Sequence, residues 1–165
     1  MTTQPDPTHR LDTAGWEIDY RSQRLTVIAI VVAIVVAVIH LIFGILLTIS
    51  NTGPTNIGAA DQAAIVLLGV VIASAVALFS RPRLRVGAAG VSVRNLWADR
   101  FFGWEEVRGL TYPDSGFGGR LLLPADEHIP VLAIQALDGE RAVAVMDRYR
   151  HLEARYGRYS GTDPR

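Results

Sequence analysis

The run Leu25 to Ile49, LTVIAIVVAIVVAVIHLIFGILLTI, constrains this chain more than any other feature. It is 25 residues long, carries no formal charge and contains one histidine, His40. At about 1.5 Å per residue, a helix of this length exceeds the ~30 Å hydrocarbon core of a bilayer. Valine and isoleucine dominate the run, and in water they favour strand. In lipid each backbone polar group must be satisfied within the segment, so helix is the outcome. A signal peptide fits poorly. The run is longer than an apolar h-region of about 7–15 residues, it starts after residue 24, and no small-residue cleavage site precedes a folded domain.

A second uncharged run, Ala63 to Phe79, follows after a short break. Ile57, Gly58, Ala59 and Ala60 extend it, with Asp61 placed at the interface. The reading is a two-helix hairpin, 25–49 and 60–80, joined by a short extracytoplasmic loop over 50–59. Orientation follows from arginine. Arg10, Arg21 and Arg24 precede the first helix, Arg81, Arg83 and Arg85 follow the second, and Ser50 to Gln62 holds no basic residue. The positive-inside rule then puts both termini in the cytoplasm of a multi-pass cell-membrane protein. Trp16 and Tyr20 are expected as interface anchors before the first helix, and Phe79 after the second.

Small residues recur at spacing four: Ala29, Ala33 and Ala37 in the first helix, Gly69, Ala73 and Ala77 in the second. Such ridges permit close backbone approach, within the hairpin or against a partner protein. An ionisable residue inside a membrane helix is a functional suspect by default, which singles out His40. Bis-histidine haem ligation within the hairpin would need a histidine in the second helix, which has none. A neutral His40 bonded to a backbone carbonyl or a neighbouring helix is the simpler reading.

Composition narrows the function classes. The 165 residues include 16 basic and 16 acidic side chains, and every basic one is arginine. Zero net charge argues against a nucleic-acid binder. The absence of cysteine removes disulfides, cysteine-ligated metals and thiol catalysis. No HExxH, Walker-type or nucleophile-elbow pattern occurs, and GFGG at 116–119 lacks the GxGxxG spacing. His128 follows Asp126 and Glu127, but three consecutive residues do not surround a metal. No cofactor, metal site or enzymatic activity is expected.

After the second helix, period-two alternation predicts short strands. Leu84 and Val86 alternate with arginines, and Val91 and Val93 with Ser92 and Arg94. Strands also fit 100–104, Val107 to Tyr112, Leu121 to Leu123, and 130–137 with Pro130 at the start or on an edge. DSGFGG at 114–119 reads as a flexible loop. Asp138 is placed as N-cap of an amphipathic helix over roughly 139–157, whose stripe of Ala142, Val145, Met146, Tyr149, Leu152 and Tyr156 should cap the sheet. Residues 1–24 read as a separate cytoplasmic segment, 81–158 as the folded domain and 159–165 as a flexible tail.

Strands followed by one closing helix is the order of a PH-like domain: an antiparallel sheet or partly open barrel capped by a C-terminal helix. The segments RPRLRV, GVSVRNL, FFGWEEVRGL and LPADEHIPVLAIQAL resemble the actinobacterial membrane-anchored bacterial PH-domain family, the group that includes low-molecular-weight antigen-6-like proteins. In that resemblance Gly90, Trp104, Glu105 and Val107 match recurrent positions that are structural in character. Eukaryotic PH relatives bind phosphoinositides through basic residues in an early hairpin, which directs attention to Arg81, Arg83 and Arg85 as lipid-headgroup contacts. Residues 81–100 hold five arginines against one aspartate. Trp97, Phe101 and Phe102 give the neighbouring hairpin aromatic surface on both faces, one for the core and one for lipid or protein. The expected function is a non-catalytic accessory or interaction subunit at the cytoplasmic face. Its partners would be membrane lipids and another membrane protein or a second copy. The alternative is an anionic-lipid-responsive membrane module.

Overall fold

A computed structural model describes residues 15–49, 58–113 and 118–157, with side chains 48 and 49 left aside. The described residues form two compact units, one made of 24–80 and one of 15–23 with 81–157. The expected loop over 50–59 lies outside the description except for Gly58 and Ala59. So do residues 114–117 of the expected flexible loop and the tail from 158.

The first unit holds helices α1 (Gln23–Ile49) and α2 (Ala59–Ala77), the second ending in a 3₁₀ turn, Leu78–Ser80. Both are long and apolar enough to cross a membrane. Asp61 sits in the first turn of α2, where its carboxylate accepts from the Gly58 amide at 3.0 Å. That satisfies a helix N-terminal donor and keeps the charge at the end of the helix. Ser74 and His40 return their polar atoms to their own helices. Ser74 Oγ donates to the Val70 carbonyl at 2.7 Å, and His40 Nδ1 lies 2.8 Å from the Val36 carbonyl oxygen.

The second unit is a seven-stranded PH-like fold. One sheet runs β1 (Trp16–Tyr20), β2 (Arg83–Gly87), β3 (Gly90–Arg94) and β4 (Asp99–Gly103), each antiparallel to the next. The other holds β5 (Gly109–Thr111), β6 (Gly119–Leu122) and β7 (His128–Val131). Helix α3 (Glu140–Tyr156) closes the structure. The alternating residues Leu84, Val86, Val91 and Val93 are buried, as are Leu121 and Val131 of the second sheet. Ala142, Val145, Met146, Tyr149 and Leu152 of α3 pack onto them in one core. The β2–β3 turn requires glycine at Gly90, where φ is +148° and a Cβ would lie 2.1 Å from the Phe102 carbonyl oxygen. Pro130 lies on β7, an edge strand, where the missing N–H costs no ladder bond.

Several expectations need correction. Trp16–Tyr20 is a strand of the main sheet, paired with β2 through Ile18 against Val86 and Tyr20 against Leu84. Residues 16–20 are therefore part of the folded domain, and Tyr20, expected as an interface anchor, lies in its core. The hairpin is an excursion between two paired strands. Only Arg21 and Ser22 separate β1 from α1, and only Arg81 and Pro82 separate the 3₁₀ turn from β2.

Asp138 is not the N-cap of α3. Gly139 takes that place, while Asp138 is buried and accepts from the Tyr20 hydroxyl at 2.9 Å. The strand expected over 130–137 ends at Val131, because Ala133, Ile134 and Gln135 are all buried and no alternation remains to define a sheet face. The chain turns inward there, and the Gly119 amide donates to the Ile134 carbonyl at 3.0 Å.

Candidate interaction surfaces

Arg81, Arg83 and Arg85 have different surroundings. Arg83 donates two hydrogen bonds to the Asp19 carboxylate across the β1–β2 pair. The Arg83 hydrogen bond holds the Asp19 carboxyl below the usual range, and Asp19 in turn raises Arg83. Arg85 is half-buried over the Trp16 ring, 5.9 Å from its centroid, and its Nε is buried without a hydrogen-bond partner. Trp16 meets Phe101 edge-on at 6.4 Å. Ser92 is paired in register with Arg85 on one side and Phe101 on the other. It is buried although it lies on the face of β3 expected to meet water. Arg81 is exposed. The three arginines thus do not form one basic cluster: two are committed to sheet contacts.

The aromatic residues sort in the same way. Phe102 joins the core and Phe101 covers the outer face with Trp16. Trp104 is buried, donates its indole N–H to the Gly87 carbonyl at 3.0 Å and lies 6.0 Å from the Tyr149 ring, so it is a packing residue. Trp97, in the β3–β4 turn, is 81% exposed. A tryptophan that exposed is uncommon, because its large apolar surface is usually covered.

In the hairpin, Ala29, Ala33, Gly44 and Gly69 are buried, and Ala37, Ala73 and Ala77 are half-buried. Gly69 lies against His40, where a Cβ would fall 2.3 Å from the His40 Cβ. Ala33, Ala37, Ala73 and Ala77 line one shallow groove with Ile30, Ile34, Val70 and Ser74. Sequence spacing missed Gly44, which meets Val66. It lies outside the Ala29, Ala33, Ala37 series, and only the antiparallel pairing of the helices brings it in.

A small open pocket beside Trp104 is lined by Val107, Arg108, Glu153 and Gly157. Burial pushes the Glu153 carboxyl up, and the Tyr149 hydroxyl reaches it at 3.4 Å. His128 is exposed at the start of β7. Among the described residues no three His, Asp or Glu side chains converge on a possible metal position.

The sequence reading also missed Asp19 and the buried Tyr20–Asp138 bond. The signal was present in WEIDY, whose Trp16, Ile18 and Tyr20 alternate with Glu17 and Asp19.

Residues 81–152 match the bacterial PH domain family. That match begins after α2, so β1 lies outside it. An uncharacterised protein of Mycobacterium tuberculosis strain H37Rv is 48% identical over 141 residues, spanning 86% of this chain and 91% of its own length. An uncharacterised protein of Mycobacterium bovis matches to the same extent. No solved structure matches. The chain belongs to the family of these mycobacterial proteins, and its residues 81–152 are similar to the bacterial PH domain.

Proposed function

We propose that this protein is a non-catalytic, membrane-anchored accessory subunit. In this reading α1 and α2 cross the cell membrane as a hairpin with both termini in the cytoplasm. The PH-like domain then presents an interaction surface at the cytoplasmic face to another membrane protein or to a second copy. One observation carries the reading: the hairpin is inserted between two strands that pair with each other, with two-residue connections on either side. Such a mount holds a domain at the membrane by two short tethers and leaves little freedom to leave it. The small residues Ala33, Ala37, Ala73 and Ala77 along the hairpin groove support helix–helix contact with a partner. Purification of the full chain from its own host in mild detergent, at native expression, tests this. A stoichiometric membrane partner or a defined homo-oligomer is expected. A monomer both in detergent and after crosslinking in intact membranes would contradict it.

A second reading, an anionic-lipid-responsive module, is favoured by the excess of arginine over residues 81–100 and by the exposure of Arg81. Because Arg83 and Arg85 are engaged elsewhere, Arg81 is the member of the trio that would meet a headgroup. The full chain in nanodiscs with and without phosphatidylglycerol separates the readings. Anionic lipid should change the protease sensitivity of the domain in the wild type and less in Arg81→Ala.

A further inference from the structure

The strands of the first sheet give its two ends different surroundings. Tyr20 pairs with Leu84, and Arg83 pairs with Arg94, so β1 leaves for α1 and β2 arrives from α2 at the same end of the sheet. The β3–β4 turn, residues 95–98, is at that end too, because Arg94 pairs with Asp99. The β2–β3 turn, with Ala88 and Ala89, is at the other. Trp97 therefore projects from the end of the domain at which both connections to the hairpin are made.

Three further observations bear on this end. The turn is fixed. The Asn95 side chain donates to the Pro130 carbonyl at 2.8 Å and accepts from the Leu132 amide at 3.1 Å. Trp97 is thus held out by a clamped turn. A second exposed apolar side chain, Leu137 at 50% exposure, adjoins Asp138, which is bonded to Tyr20 at the end of β1. The charge is also basic. Arg21, Arg81 and Arg100 are exposed here, Arg141 donates to the Gln23 side chain at the start of α1, and Asp99 lies 4.0 Å from Arg94.

We propose that the β3–β4 turn is an interfacial anchor, with Trp97 lodged among the headgroups of an anionic bilayer and exposed arginines beside it on the phosphates. The assignment rests on the reading of α1 and α2 as membrane-spanning. Tryptophan collects at headgroup level because its ring is apolar and its N–H is polar, and basic side chains near the surface are drawn to anionic lipid. The turn gives the domain a third attachment beside its two covalent ones.

The chain has no cysteine, so single-cysteine spin labels report one position each. The full chain carrying Ala98→Cys, Ala88→Cys or Val35→Cys is reconstituted in phosphatidylcholine–phosphatidylglycerol bilayers. Relaxation by oxygen, which concentrates in lipid, is compared with relaxation by a water-soluble nickel chelate. The expected result is oxygen-dominated relaxation at 98 and 35 and nickel-dominated relaxation at 88. Adding Trp97→Ser to Ala98→Cys should reverse the ratio at 98. Pure phosphatidylcholine should move the label at 98 toward water. Nickel accessibility at 98 equal to that at 88, with 35 still in lipid, would overturn the anchor and leave the spanning hairpin intact. Nickel accessibility at 35 would overturn both. A label at 98 shielded from both reagents would assign the turn to a protein contact and overturn the lipid assignment.

Discussion

The two units of this chain are packed inside out relative to each other. In the sheet domain the large side chains are inside: Leu84, Leu121, Ile134 and Tyr149 have no exposed surface. In the hairpin the large ones are outside, with Ile34 at 57%, Phe43 at 58% and Leu67 at 63% exposure, while Ala29 and Ala33 are buried. Burial from water drives the first arrangement, since each large apolar side chain contributes about 1.5–3 kcal/mol when buried. That drive is absent between helices in lipid, where close packing of small residues takes over. In the proposed reading of α1 and α2 as membrane-spanning, the same alphabet of alanine, valine, isoleucine and leucine serves two solvents.

The boundary between the units gives the largest prediction. A fragment starting at residue 81 lacks β1 and the buried Ile18 and Tyr20. Their side-chain burial alone is worth roughly 3–6 kcal/mol, comparable with the total stability of a small domain. Fragment 81–165 should therefore lack a cooperative thermal transition. A chain in which Asn-Gly replaces residues 22–82 closes β1 onto β2 with a hairpin turn and should fold in water. Circular dichroism melts of the two decide the matter, and a well-folded 81–165 fragment would break the comparison at its root.

Within each unit, substitution should give opposite results for the same residue type. Leu84→Ala should cost about 2–5 kcal/mol in denaturant titration of that soluble chain, as expected for a filled core. In the hairpin the damage comes from adding atoms. Gly69→Leu forces a side chain against His40 and should cost about 1–3 kcal/mol, read as easier unfolding of the reconstituted full chain in SDS. Leu67→Ala should change that titration by less than about 0.5 kcal/mol, since Leu67 is already on the outside.

Between these last two in size lies a pH effect. The Asp19–Arg83 pair is partly exposed, so its contribution is about 0.2–1 kcal/mol. The folded state lowers the Asp19 pKa, so this stability is present above the unfolded value of about 3.9 and is lost as pH falls through the folded value. Wild type should exceed Asp19→Asn in stability at pH 7, and the gap should close as pH falls through the lowered folded-state value. A gap that widens on acidification would reverse the sign.

Much of the fold was legible because two periods stand out in the sequence. The uncharged runs mark the helices, and alternation at 83–86 and 91–94 marks β2 and β3. The spacing of Val145, Tyr149 and Leu152 marks the face of α3. β1 was illegible for a different reason. WEIDY alternates as β2 does, but its partner lies beyond both helices, and proximity to the first apolar run made Trp16 and Tyr20 look like interface anchors. Asp138 was misread because a carboxylate before a helix has two uses, and its buried partner Tyr20 is remote in sequence. Of the candidate surfaces, the arginine trio was visible as charge. Its division was not, because whether an arginine is engaged depends on the neighbouring strand: Asp19 faces Arg83, and Trp16 lies under Arg85.

The central claim is that the hairpin is an excursion between paired strands, so that both of its ends meet one sheet. Asp19 and Arg85 are partners in register, and opposed Cα atoms in an antiparallel pair lie about 4.5–5.5 Å apart, within reach of a disulfide. The double variant Asp19→Cys, Arg85→Cys, oxidised in intact membranes of the host, should form an intramolecular disulfide in high yield. Asp19→Cys with Leu122→Cys, which places the second thiol on the other sheet, should not. No crosslink in the first pair, with both thiols reactive toward a small maleimide, would place β1 away from β2 and contradict the account.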